Sequence, residues 1–86
     1  MSRDELLGVL QEAFDLVGTK PFTLTGSERI PDDLALDSLQ MIELLSEIEE
    51  RLGIVVVGDA RLFDVEKVDD LIGLLGDLLF ATSNTP

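Results

Sequence analysis

Apolar residues along this chain gather in three blocks with helical spacing. In the first, Leu6, Leu10, Ala13, Phe14 and Val17 recur on one face with Leu7 beside them. Ser2 and Glu5 form an S-x-x-E capping box ahead of it, and Gly18 is placed to stop it. In the second, Met41, Leu44, Leu45, Ile48 and Leu52 cover one arc when the chain is turned at ~100° per residue. This predicts a helix from near Ser38 to Leu52, with Asp37 as N-cap and Gln40 completing a capping-box variant. Gly53 falls where a left-handed C-cap belongs, with Ile54 as its hydrophobic partner. In the third block Val68, Leu71, Ile72, Leu75, Leu78 and Leu79 make a buried stripe, and Asp64 is the expected cap.

The segments between these blocks differ in character. Thr19 to Leu36 is a long connection holding two of the three prolines. Phe22 and Leu24 are expected to tuck into the core from extended chain, and a loop of this length in a small domain is usually functional. Ile54 to Val57 is β-branched, but only FTLT could pair with it, so an extended segment is expected rather than a strand. Gly58-Asp59 opens a short helical turn, ARLF. The expected fold is all-α: a small antiparallel four-helix bundle with three principal helices, one short third helix and a long first loop. Residues 1–81 form the expected single domain, and 82–86 a disordered tail.

Composition narrows what such a bundle can do. At 86 residues the chain is near the lower end of what one core can stabilise, and no cysteine is present to help. That absence leaves the redox compartment open while fitting the cytoplasm. MSRDELL is charged and does not resemble a signal peptide, and no apolar run approaches the ~18 residues of a membrane span. Eighteen acids against six bases give a net charge of −12. Nucleic acid and anionic membrane are therefore unsuitable partners, whereas basic protein surfaces are suitable ones. Histidine, cysteine, tyrosine and tryptophan are all absent. Carboxylates, Lys20, Lys67 and serines remain, but no paired constellation marks a catalytic residue. Asp32, Asp33 and Asp37 do not fit calcium-loop spacing, so no metal ligand set is assigned.

The second helix carries more than a core face needs. Leu39 and Ile42 lie outside the apolar arc, on the flank that holds Ser38, Ser46 and Glu49, and Glu43, Glu47 and Glu50 border them. Each residue has a structural reading: Asp37 as an ordinary cap, the glutamates as solvated helix formers, Leu39 and Ile42 packed beneath the first loop. Ser38 has none, because stability requires no hydroxyl at the first helical position.

The run Leu34-Ala35-Leu36-Asp37-Ser38-Leu39 resembles the phosphopantetheine attachment motif of acyl carrier proteins. The resemblance extends over nearly the whole chain, through length, acidity, helix order and the closing Glu49-Glu50-Arg51-Leu52-Gly53-Ile54. It implies that Ser38, flanked by Asp37 and Leu39, carries 4′-phosphopantetheine delivered from coenzyme A by a phosphopantetheinyl transferase. Cargo would ride as a thioester while partner enzymes do the chemistry, so the chain would be no enzyme. Loading and downstream synthase enzymes with basic surfaces would dock on Leu39, Ile42, Glu43, Glu47, Glu49 and Glu50 of a monomer. Gln40 replaces an acid usual in fatty-acid carriers, and Arg61 interrupts a usually acidic third helix. Leu36-Asp37 replaces the Gly-rich, His-ending stretch of peptidyl carriers. These departures point to a bacterial polyketide or other specialised-metabolite carrier, with an aminoacyl or peptidyl carrier as the alternative. From a different class, an unmodified acidic helical module could bind a partner helix through Leu39 and Ile42.

Overall fold

The computed structural model describes residues 2–18, 22–30 and 32–83, leaving aside the side chains of Thr82 and Ser83. Its elements are α1 (Arg3–Val17), α2 (Ser38–Leu52), a 3-10 turn (Ala60–Asp64) and α3 (Val68–Ser83). The described residues are all-helical, with no strand beyond one isolated bridge between Arg29 and Lys67. Both predicted capping boxes form. Ser2 pairs reciprocally with Glu5, and Asp37 with Gln40. Gly53 closes α2 in the left-handed region at φ 68, and Ile54 behind it is buried. Gly18 ends α1 in extended backbone.

The core joins Leu6, Leu10, Ala13 and Phe14 of α1 to Leu44, Leu45 and Ile48 of α2 and to Val68, Leu71, Ile72, Leu74 and Leu75 of α3. Leu74 is an addition to the predicted stripe, and Leu78 and Leu79 are only partly buried. The first loop supplies Leu24, Ile30, Leu34 and Leu36. Phe22 lies shallower than expected, at 41% exposure, with its ring edge-on to Phe14. Ala35 turns through the left-handed region at φ 52, which lets both Leu34 and Leu36 reach the core ahead of α2.

Two boundaries depart from the sequence reading. Asp64 does not cap α3; it ends the 3-10 turn, and α3 begins at Val68. Residues 66 and 67 are drawn instead onto the first loop, where Ile30 N–H donates to the Glu66 carbonyl at 2.9 Å. Loop carbonyls take the place of a capping side chain: Val68 N–H donates to Glu28 O at 3.0 Å and Asp69 N–H to Gly26 O at 2.8 Å. Asp70 then accepts from the N–H groups of Lys67 and Glu66 through Oδ2, and these bonds lower its carboxyl below the ordinary value. At the other end α3 runs to Ser83, into the segment expected as tail. Residues 84–86 lie outside the described residues.

Candidate functional site

Ser38 is the first residue of α2 and is exposed. Its helix start is complete without it, because Asp37 Oδ1 accepts from Gln40 N–H at 2.7 Å and Gln40 Oε1 accepts from Asp37 N–H at 3.1 Å. Among the described residues, the N–H groups of Ser38 and Leu39 have no acceptor. Unpaired donors at a helix N-terminus favour an anionic group there. The site thus offers a free hydroxyl beside two free N–H groups.

Leu39 and Ile42 are 64% and 54% exposed, so neither packs beneath the first loop. The acidic margin is less uniform than its sequence suggests. The side chains of Glu43 and Glu50 are exposed and make no hydrogen bond or ion pair among the described residues. Glu47 lies 3.3 Å from Arg51 Nε, and Arg51 reaches Glu12 of α1 at 2.6 Å. Glu49 is turned homeward: its Oε2 accepts from Val56 N–H at 2.6 Å and Val57 N–H at 3.0 Å, fixing the chain as it leaves α2. An i,i+4 partner for Glu47 is legible in the sequence, whereas the Glu49 contacts depend on how the chain turns after Gly53.

A cavity of about 330 Å³ opens between α2 and the 3-10 turn. Met41, one helical turn beyond Ser38, and Leu45 line one side, with Ile30 and Leu71 behind. The opposite wall comes from Asp59, Leu62, Phe63 and Val65. Nothing in the hydrophobic pattern announced this space, because it arises from how the 3-10 turn stands off α2. Among the described residues no group of three or more metal-ligating side chains gathers.

Glu28, also missed, shapes the loop that backs the cavity. It is 7% exposed, and its Oε2 accepts from Thr25 N–H at 2.7 Å and Thr25 Oγ1 at 2.8 Å. Its Oε1 accepts from Gly26 N–H at 2.8 Å. Burial alone would raise this carboxyl, but the hydrogen bonds outweigh burial and lower it from the ordinary 4.5. Thr25-x-x-Glu28 is a capping-box spelling, a signal obscured because no helix follows it.

The family model for the phosphopantetheine attachment site matches residues 5–75. An acyl carrier protein of Thermobifida fusca is 32% identical over 75 residues, covering 86% of this chain and 94% of the relative. A meromycolate extension acyl carrier protein of Mycolicibacterium aurum is 31% identical over 78 residues, covering 90% and 79%. An acyl carrier protein of Onion yellows phytoplasma is 36% identical over 64 residues, covering 74% and 75%. The chain belongs to the acyl carrier protein family of phosphopantetheine-binding carriers. Its prosthetic group is 4′-phosphopantetheine, and its role is that of a carrier, not an enzyme. Family members work with a phosphopantetheinyl transferase and with synthase enzymes. No helix among the described residues is long and apolar enough to cross a membrane.

Proposed function

We propose that Ser38 bears the arm and that the chain holds acyl intermediates on it for partner enzymes. One observation carries this reading: an exposed hydroxyl at the first position of a helix whose cap is already satisfied by Asp37 and Gln40. The residues present fit the group. Its phosphate would meet the free N–H groups of Ser38 and Leu39 and the positive end of the helix dipole. The bound arm supplies a terminal thiol that holds cargo as a thioester.

Acyl cargo suits the site better than aminoacyl cargo. The cavity beside α2 is lined mainly by apolar side chains, and the matched relatives are named acyl carrier proteins. Gln40 and Arg61 favour a dedicated pathway such as polyketide synthesis over ordinary fatty-acid synthesis. The protein acts as a cytoplasmic monomer that meets basic docking surfaces through Leu39, Ile42, Glu43, Glu47 and Glu50, with Glu49 bracing the end of α2.

Intact mass after incubation with coenzyme A and a broad-specificity transferase tests attachment. One phosphopantetheine should add to the wild type and none to Ser38→Ala, which should stay folded. Ser2, Ser27, Ser46 and Ser83 should be dispensable. Unchanged modification of Ser38→Ala would sink the assignment, and a wild type that never gains mass would favour the unmodified interaction module. Ile42→Asp tests docking. Because Ile42 is 54% exposed, the variant should melt like the wild type yet be loaded poorly by a cognate enzyme.

A further inference from the structure

The three long helices meet the partial positive charge at their starts in different ways. α1 places Asp4 and Glu5 in its first turn, and α3 places Asp69 and Asp70. Arg3 answers some of that charge, lying 2.6 Å from Asp69 and 3.8 Å from Asp4. α2 has no acidic residue in its first turn, and its N-cap Asp37 supplies the formal charge at its start.

α1 and α2 are closed by the same reciprocal box with different charges in it. In α1 the third helical residue is Glu5, whose carboxylate accepts from the Ser2 N–H at 3.2 Å. In α2 it is Gln40, whose neutral amide accepts from the Asp37 N–H at 3.1 Å. The Ser2 N–H, and then the Ser2 hydroxyl, hold the Glu5 carboxyl below its ordinary value, so a negative charge at this position of a helix is favoured. The cap of α2 therefore uses an acceptor at position 40 without its charge. The N–H groups of Ser38 and Leu39 still face no acceptor among the described residues.

Attachment of the arm changes the charge at this point. Ser38 Oγ bonds to the pantetheine phosphorus of coenzyme A, the pyrophosphate bond breaks, adenosine 3′,5′-bisphosphate leaves and the hydroxyl proton passes to solvent. The phosphodiester carries one negative charge at neutral pH and stands next to Asp37. A carboxylate at position 40 would lie within the same helical turn and repel it, whereas an amide does not.

We propose that Gln40 reserves the start of α2 for the arm: the cap closes without a second charge, the phosphodiester becomes the anion that completes the helix start, and attachment stabilises the bundle. The part played by the arm rests on Ser38 as attachment site. The preference of this helix start for one more negative charge does not.

Thermal melts of the full chain test both, at an ionic strength of about 0.01 M, where charges are least screened. Without any arm, Ser38→Asp should melt roughly 2–5 °C above its neutral counterpart Ser38→Asn, the span of a helix-start charge in a domain of this size. In a Gln40→Glu background that difference should fall to half or less. The phosphopantetheinylated wild type should melt above the unmodified protein by a similar margin. In Gln40→Glu the unmodified protein should itself gain, and attachment should then add nothing or lower the midpoint. Both gains should shrink at about 1 M salt. Ser46→Asp, two turns further along α2, should not melt above Ser46→Asn. Equal midpoints for Ser38→Asp and Ser38→Asn, or a gain that Gln40→Glu leaves unchanged, would overturn the proposal. A gain on attachment that survives both Gln40→Glu and high salt would mean that the arm stabilises by packing, and would overturn it too. A wild type that gains no mass from coenzyme A and transferase would sink the Ser38 assignment alone, with the Asp and Asn pair still deciding the charge preference.

Discussion

The first loop from Thr25 to Ile30 and the chain from Gly58 to Val65 flank the same cavity, and they are built in opposite ways. The first is tied to elements distant in sequence. Glu28 gathers Thr25 and Gly26, carbonyls of Gly26 and Glu28 receive α3, and Arg3 Nη2 bridges Thr25 O at 3.1 Å and Asp69 Oδ1 at 2.6 Å. Among the described residues, the hydrogen bonds of the second stay within it or reach back only to Val56. A long loop is therefore the firmer wall here, and a helical turn the softer one. Regular secondary structure is a poor guide to rigidity when its bonds are local and its side chains exposed.

Gly26→Ala should have the largest effect. At φ +110 this position is closed to ordinary side chains, and a Cβ would collide with Arg3 Nη2 and Asp69 Oδ1. A loss of about 2–4 kcal/mol in denaturant unfolding is expected, from backbone strain plus the displaced ion pair. A loss no larger than that of Gly58→Ala, whose Cβ would meet open space, would remove the claimed difference between the two walls.

Glu28→Gln should cost about 1–3 kcal/mol, since an amide offers one acceptor where the carboxylate offers two. The pH response sharpens the point. Glu28 in the folded protein titrates below the ordinary 4.5, so its stabilisation is fully present above that value and is lost as pH falls through the lower, folded one. Wild-type melting temperature should thus fall more steeply below pH 4.5 than that of Glu28→Gln. Parallel curves for the two proteins would mean that the carboxylate contributes nothing through its charge.

Phe63→Ser should have the smallest effect. A side chain 92% exposed has little burial to lose, so stability should stay within ~0.5 kcal/mol. A larger loss would show that the ring packs inward in solution and that the outer wall is firmer than its bonding indicates.

What the sequence revealed follows the range of the interactions involved. Both capping boxes, the Gly53 stop and the Asp37-Ser38-Leu39 start of α2 depend on neighbours within a few residues, and all were legible. The exposure of Leu39 and Ile42 followed from helical phase. Asp64 was misread because the start of α3 is set by carbonyls of the first loop, some forty residues away in sequence. Glu28 was overlooked because its local spelling predicts a helix that the following residues do not form. The cavity was invisible because it lies in the space between elements, which no single periodicity encodes.

The reciprocal cap of Asp37 and Gln40 has a kinetic consequence. Because α2 is closed at its start before anything is attached, a transferase meets a finished surface, with no segment to fold on arrival. Encounter is then limited by diffusion and orientation, and the chain's net charge of −12 draws a basic enzyme in. Rates of modification should therefore fall steeply with added salt while remaining insensitive to mild denaturant, until the bundle itself unfolds.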